Sequence, residues 1–352
     1  MDTNPLLEPI LQKILAGPLH ISFQNLNLVR LHGDASNRIY YRVLLDGQRS
    51  LIVMQLPPGK QSASEEITNL NEKADELPFI NIARSLKKKV LPVPEIHYHD
   101  KENRLLILED LGDVTFEKHI QHTSLQEKES WYERAIRLLV LLQEKGQDID
   151  PDCIAYRRFY DATLLNWEFD HFLEYGIEAR SGQKISPEDR KKIQQGTNFI
   201  TFALLQLPQV LVHRDFQSRN LMMTHEHLRL LDFQDALMGP LPYDLVALLR
   251  DSYIELPKEM VTRLIDFYLK TQTSTTQKLK PEFFHKMFDW MTIQRKLKDA
   301  GRFVYIDKIK GNPSFLKSIP ASLRYVKTAF ERQPELKNLF DVLKKYVPEF
   351  KL

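Results

Sequence analysis

The residues best equipped for chemistry fall in one stretch, Leu207 to Leu249. A short apolar run, Val210-Leu211-Val212, delivers His213-Arg214-Asp215, and Asn220 follows, so the chain reads H-R-D-F-Q-S-R-N. Leu221 to Met223 is apolar, Thr224 to His227 polar, and Leu228 to Leu231 apolar again, a hairpin that ends in Asp232-Phe233-Gln234-Asp235. Phosphoryl transfer from a nucleotide needs one carboxylate to orient the acceptor hydroxyl and take its proton. It also needs two oxygen ligands for magnesium on the phosphates. Asp215 suits the first task. Asn220, on the same loop, and Asp232, returned by the hairpin, suit the second, because magnesium prefers hard oxygen donors. H-R-D alone or D-F alone is common by chance; the ordered strand, loop, Asn and hairpin form the context that a kinase motif demands. His213 reads mainly as a packing residue of the loop, and Arg214 as a salt-bridge partner.

The flanking sequence indicates what must position this loop. Ile39 to Leu45 is a β-branched and aromatic run ending at Asp46-Gly47, and Leu51 to Leu56 follows before Pro57-Pro58-Gly59. Two such runs about a D-G turn predict an antiparallel hairpin. Ser64, Glu65 and Glu66 open a helix-compatible segment to about Leu77. A second strand pair, Ile96 to His99 and Arg104 to Leu108, leads into Glu109-Asp110-Leu111-Gly112-Asp113, which reads as a linker hinged at Gly112. The pattern then turns helical: Trp131, Ala135, Leu138 and Leu142 share one helix face, as do Leu165, Phe169 and Phe172. The expected architecture is α+β and two-lobed, a small β-rich lobe over residues 1–112 and a larger, mainly helical lobe over 113–352.

Composition narrows the function classes. The 352 residues carry 49 Lys and Arg against 47 Asp and Glu, a net charge of +2, with 43% hydrophobic and 27% charged residues. So balanced a chain has no excess of positive charge for a nucleic-acid backbone. No apolar run approaches the roughly 18 to 20 residues of a membrane span. The opening MDTNPLLEPILQKILAGPLHI lacks a basic region ahead of its apolar residues and does not read as a secretory signal. The single cysteine, Cys153, cannot form an internal disulfide or a zinc site. A cytoplasmic protein without nucleic-acid, membrane or obligate protein partner is expected.

H-R-D-F-Q-S-R-N, L-D-F-Q-D-A and G-P-L-P-Y-D-L-V-A-L-L resemble the aminoglycoside phosphotransferase-like, or kinase-like, superfamily. L-H-G-D-A-S-N-R near the start, L-I-L-E-D-L-G-D at the linker and D-W-M-T-I-Q-R-K-L-K-D-A-G near the end extend the resemblance over nearly the whole chain. Within the superfamily it is most similar to bacterial anomeric sugar kinases, which phosphorylate N-acetylmuramate and N-acetylglucosamine at C1 in cell-wall recycling. The resemblance implies a protein-kinase-like fold, ATP and Mg2+ as cofactors, and a small amino sugar as acceptor. It implies Asp215 as catalytic base, Asn220 and Asp232 as magnesium ligands, and Gln217, Arg219 and Asp235 as residues that could reach the sugar or phosphates. Tyr243-Asp244 would anchor the catalytic loop or cap the helix that follows.

At the nucleotide end, Gly33 to Arg38 precedes the first strong strand, where backbone N–H groups, the Ser36 hydroxyl, Asn37 and Arg38 could bind phosphate oxygens. It is not a G-x-G-x-x-G loop. The strand Leu51 to Leu56 carries no Lys at the position, near Met54, where protein kinases place one. Arg38, Arg42 or Lys60 is expected to supply that charge, and Glu65 or Glu66 need not pair with it. The linker, Glu109 to Leu111, would bind a purine through its backbone. Around the acceptor, Arg157, Arg158, Arg295, Lys296 and Arg302 favour a neutral or anionic sugar, and the lactyl carboxylate of N-acetylmuramate could pair with one of them. Trp167, Trp290 and Tyr156 could stack on a sugar face. Competing expectations are a kinase of aminoglycosides, choline or homoserine, and a pseudokinase binding module.

Overall fold

Five strands, β1 (Leu26–Leu31), β2 (Ile39–Leu45), β3 (Arg49–Gln55), β4 (Ile96–Asp100) and β5 (Leu105–Glu109), form an antiparallel sheet in the order β1-β2-β3-β5-β4. This computed structural model describes residues 7–31, 38–47, 49–57, 76–273 and 279–351. Both expected strand pairs are present, β2 with β3 and β4 with β5. At the β2–β3 turn, Asp46 and Gly47 have φ of 53° and 71°, the left-handed region where Gly carries no Cβ penalty and Asp is tolerated. The Asp46 carboxylate accepts the backbone N–H groups of Gln24 and Asn25, both at 2.9 Å, and ties the turn to the chain entering β1.

Alternation along the strands divides their side chains between two cores. Tyr41, Val43, Leu45, Val53, Leu105 and Ile107 pack against α1 (Leu7–Ala16) through its Leu7, Leu11, Ile14 and Leu15. On the opposite face Met54, Leu106 and Leu108 join the main core with Phe79, Ile82 and Leu86 of α2 (Pro78–Lys88). Helices α1 and α2 and strand β1 are additions to the sequence reading. The helix-compatible segment from Ser64 lies almost entirely outside the described residues, as do Lys60, Glu65 and Glu66.

After the linker the chain is mainly helical. Helix α3 (Phe116–Ile120) precedes α4 (Leu125–Lys145), which begins with a reciprocal capping box between Ser124 and Glu127. It ends at Gly146, where a Cβ would lie 2.4 Å from Leu211 Cβ, so only glycine admits this contact with the strand leading to the H-R-D loop. Helix α5 (Ala162–His171), capped by Asp161, runs into a π-helical segment, Phe172–Ala179. Then follow α6 (Pro187–Leu205), α7 (Tyr243–Leu249), α8 (Lys258–Thr271), the 30-residue α9 (Pro281–Lys310), α10 (Ile319–Glu331) and α11 (Lys337–Leu343). Helix α9 forms the spine of this half, buried along most of its length. Its Gly301 meets the π-helix so closely that a Cβ would fall 2.8 Å from Phe172 Cα. Among the described residues no helix is long and apolar enough to cross a membrane.

Two short antiparallel pairs shape the loop that carries the motif. Strand β6 (Gln209–Val212) pairs with β9 (Leu237–Pro240), and β7 (Leu221–Thr224) pairs with β8 (His227–Leu230). The register Val212↔Leu237 closes the base of the excursion from 213 to 236, so both ends of the motif start from the same place.

Candidate active site

A cavity of about 680 Å³ is lined by the sheet, the linker and the helical half. Arg38, just ahead of β2, and Tyr40 and Arg42 within it all line the cavity, as the two-residue period of a strand requires. Asp215, Gln217, Arg219 and Asn220 line it from the motif loop, and Asp232, Gln234 and Asp235 from the turn after β8. Helix α9 adds Lys298, Asp299 and Arg302; helix α5 adds Trp167, Glu168 and His171.

The motif loop hangs on buried carboxylates. Asp244, fully buried in the first turn of α7, accepts the backbone N–H groups of His213 at 2.6 Å and Arg214 at 3.0 Å. It therefore anchors the loop, the first of the two roles expected for it. Those bonds hold Arg214 at a φ of 80°, a strained conformation for a side chain with a Cβ. The Arg214 guanidinium donates to Tyr160 and lies 3.6 Å from the fully buried Glu168, the structural pairing anticipated for it. His213 is buried and accepts the Asp215 N–H through Nδ1; burial pushes its pKa down to about 4, so the ring is neutral at working pH. Farther along, Asp251 accepts both the N–H and the hydroxyl of Ser218.

Arg295 of α9 donates to the Arg214 carbonyl at 2.6 Å and to Asp215 Oδ1 at 3.2 Å. Burial alone would raise the Asp215 pKa, but the charges of Lys298, Arg295 and Arg214 outweigh it and hold the carboxyl below its ordinary value. Asn220 donates from Nδ2 to the Asp215 carbonyl at 2.9 Å, a bond that does not engage its Oδ1. Asp232 stands at a φ of 62° and accepts from Gln234 at 2.8 Å. Its side chain is 45% exposed where it lines the cavity, yet the protein packed around it and the Asp215 charge push its pKa up to about 6. The nearby Asp235 Oδ1 is buried and has no hydrogen-bond donor among the described residues.

This donor set fits a magnesium ion. Desolvation first, and then the charges of Asp215 and Asp235, disfavour the Asp232 carboxylate, a cost that an incoming dication would relieve. Among the described residues there is no cluster of three or more His, Cys, Asp or Glu able to hold a metal. An amide and one carboxylate, completed by phosphate and water oxygens, is the incomplete protein set that magnesium commonly takes.

On the nucleotide side, Ser36 and Asn37 lie outside the described residues. Arg38 NH1 lies 3.9 Å from Asp232 Oδ1 and hydrogen-bonds Tyr40. Burial works against its charge, yet Tyr40, Asp232 and Asp235 hold its pKa above the usual value. Arg42 instead spans Asp110 and Asp113, with donor distances of 2.6 to 3.0 Å, and latches β2 to the linker. Met54 is fully buried in the main core, while Ile52 lines the cavity, so β3 gives the site an apolar rather than a cationic side chain. Glu109 and Leu111 both line the cavity; the Glu109 carboxylate is paired with Arg229. Gly112 has a φ of 85°.

Of the acceptor-side aromatics considered from sequence, Trp167 reaches the cavity and stacks on His171, ring centroids 5.2 Å apart. Trp290 and Tyr156 are core residues instead. Arg219 reaches the cavity bonded to Glu117 and lying 3.6 Å over the Tyr253 ring.

Residues 27–281 match the model of the phosphotransferase enzyme family. The chain belongs to that family. It is 32% identical over 318 residues to the N-acetylmuramate/N-acetylglucosamine kinase of Pseudomonas aeruginosa, covering 90% of this chain and 87% of that one. The protein of the same name from Neisseria meningitidis is 31% identical, with 91% and 90% covered. Among solved structures, the choline kinase LicA of Streptococcus pneumoniae superposes with a TM-score of 0.61 at 15% identity, over 93% of this chain and 99% of that one. A gentamicin complex of APH(2")-IIa gives 0.57 at 17%, over 92% and 97%. These likenesses show the two-lobed, protein-kinase-like fold.

In this phosphotransferase the sequence reading passed over Lys298 and Asp299 as site residues. Burial opposes the Asp299 charge, but Lys296, Arg295 and Lys298 hold its carboxyl far below the ordinary range. A signal was present: Arg295, Lys298, Asp299 and Arg302 are spaced by three and four residues, a charged face on an otherwise core-forming helix. His171 gives no such signal, because an isolated histidine on an apolar helix usually packs in the core.

Proposed function

We propose that this phosphotransferase moves the γ-phosphate of ATP to the anomeric C1 hydroxyl of N-acetylmuramate and N-acetylglucosamine, within cytoplasmic recycling of cell-wall sugars. The observation that carries the reading is the meeting of Asp215, Asn220 and Asp232 at one cavity, in a chain whose relatives over some 90% of its length bear that substrate pair in their names. Residues 1–112 hold the nucleotide through Ser36, Asn37, Arg38 and the backbone of Glu109 and Leu111; residues 113–352 hold the acceptor. Asp215 accepts the proton of the C1 hydroxyl, whose oxygen bonds to the γ-phosphorus as the bond to the β-phosphate oxygen breaks, giving sugar 1-phosphate and ADP. Arg295 occupies Asp215 Oδ1, which leaves the other oxygen for that proton. Asn220 and Asp232 would hold magnesium, which neutralises phosphate charge when bound. Arg38, next to Asp232, supplies the cation that β3 lacks. Gln217, Arg219 and Asp235 border the sugar.

The cavity wall formed by α9, with Lys298, Arg302 and Lys310 against the single carboxylate Asp299, disfavours a polycationic aminoglycoside or choline as acceptor. Phosphorus NMR of the product from N-acetylmuramate, ATP and magnesium is the decisive experiment. A C1 phosphate signal is expected; phosphate on another oxygen, or none, refutes the proposal. Asn220→Ala and Asp232→Asn should each raise the magnesium concentration needed for half-maximal rate.

A further inference from the structure

We propose that Arg302 is the specificity-determining residue of the acceptor pocket, where its guanidinium receives a carboxylate carried by the sugar and so favours anionic over neutral amino sugars. This inference rests on the amino-sugar reading above and adds to it a residue and a charge requirement.

Of the five cations expected around the acceptor, the structure commits most elsewhere; of the two further cations that α9 brings to the cavity, Lys298 lies 3.6 Å from Asp299 and Lys310 has a partner of its own. Arg158 donates to the Gln234 carbonyl, Arg295 to Arg214 and Asp215, and Lys296 to Ser252 and Asp299. Arg157 is exposed and does not line the cavity. Arg302 does line it, one turn beyond Lys298, with its guanidinium 4.8 Å over the Tyr305 ring. Among the described residues no carboxylate lies within salt-bridge distance of it; Asp215 and Asp235 act on it only through longer-range attraction. Burial draws its pKa below the ordinary arginine value. A partly buried cation without a counter-ion is a costly arrangement in a folded chain. An anion entering the cavity would relieve that cost, and the planar fork of guanidinium matches a carboxylate through two parallel hydrogen bonds.

The surroundings fit the rest of such a ligand. Trp167, stacked on His171, presents an aromatic wall to the same cavity. His171 is buried, and among the described residues its Nε2 has no hydrogen-bond partner. Phe303, Ile306 and Phe315 add apolar lining to the cavity. An aromatic wall, a ring nitrogen and a cation together suit a sugar ring that bears an acidic side arm.

The test compares kcat/KM for N-acetylmuramate and N-acetylglucosamine in the wild type, Arg302→Met and Arg302→Lys, with KM for ATP and the thermal unfolding midpoint measured alongside. Arg302→Met should lower kcat/KM for N-acetylmuramate by roughly ten- to a hundredfold, the range of a charge-assisted hydrogen bond, and that for N-acetylglucosamine by less than about threefold. Arg302→Lys should fall between, because it keeps the charge and loses the fork. If Arg302→Met does not fold, the same unequal loss must appear in Arg302→Lys. Equal losses on the two sugars, or a raised KM for ATP with an unchanged sugar ratio, overturn the assignment while leaving the kinase reading intact. A wild type that phosphorylates neither sugar overturns both.

Discussion

Replacing Asp244 by alanine tests whether one buried carboxylate holds the catalytic loop in place. Asp244 is fully buried and accepts the N–H groups of His213 and Arg214 at 2.6 and 3.0 Å. Alanine strands both donors at a cost of about 1 to 3 kcal/mol each, so about 2 to 6 kcal/mol in all. The substitution also removes a cost, because burial pushes the carboxyl from an ordinary 3.8 up to about 7. Between those values the folded state keeps a proton that the unfolded chain releases. The stability linked to Asp244 is therefore complete below the ordinary pKa and is lost as pH rises through about 7. The wild type suffers that loss and the variant does not. Asp244→Ala should consequently be more destabilising at pH 5 than at pH 8, by about 3 kcal/mol. Urea unfolding at the two pH values reads the difference directly. Because Asp215 follows the two tethered residues, kcat should also fall, by roughly a hundredfold, as expected when a catalytic group is displaced by about 1 Å. An equal destabilisation at both pH values would refute the burial argument. Full retention of kcat would refute the tethering role.

Two further outcomes follow from the charges around the loop. Asp215 is kept below its ordinary pKa against the effect of burial by Lys298, Arg295 and Arg214. Lys298→Met should therefore move the acidic limb of the kcat/KM profile to higher pH, whereas Lys298→Arg should leave it in place; superimposable profiles for the wild type and the Met variant would contradict this. Burial lowers the His171 pKa from 6.5 to about 4, so the wild type loses stability as pH falls through that interval, when the unfolded chain takes up a proton first. The stability difference between His171→Gln and the wild type should shift in favour of the variant by about 3 kcal/mol from pH 6.5 to pH 4, and a constant gap in unfolding free energy would rule this out.

What could be read from the chain without its fold was local. The D-G turn and flanking β-branched runs specify the β2–β3 hairpin, and the spacing of Trp131, Ala135, Leu138 and Leu142 specifies α4, because backbone preference and side-chain periodicity act between near neighbours. The order strand, Asp215, Asn220, hairpin, Asp232 was legible for the same reason: a short loop and a tight ribbon leave few ways to arrange them. Helix α2 escaped notice because Pro78-Phe79-Ile80-Asn81 has no capping side chain to announce its start.

Tertiary packing decided the rest. Whether Arg38 or Arg42 faces the reacting centre cannot be told from a strand on which both share one side; the linker carboxylates Asp110 and Asp113 capture Arg42, and Asp232 draws Arg38. Likewise Arg295, Lys298 and Arg302 lie some 80 residues beyond the motif, and only the passage of α9 beneath the loop makes one a partner of Asp215, another its electrostatic neighbour and the third a cation turned to the cavity. Proton affinities and charge pairing depend on distance in space and on exclusion of water, and neither quantity is contained in the spacing of residues along a chain.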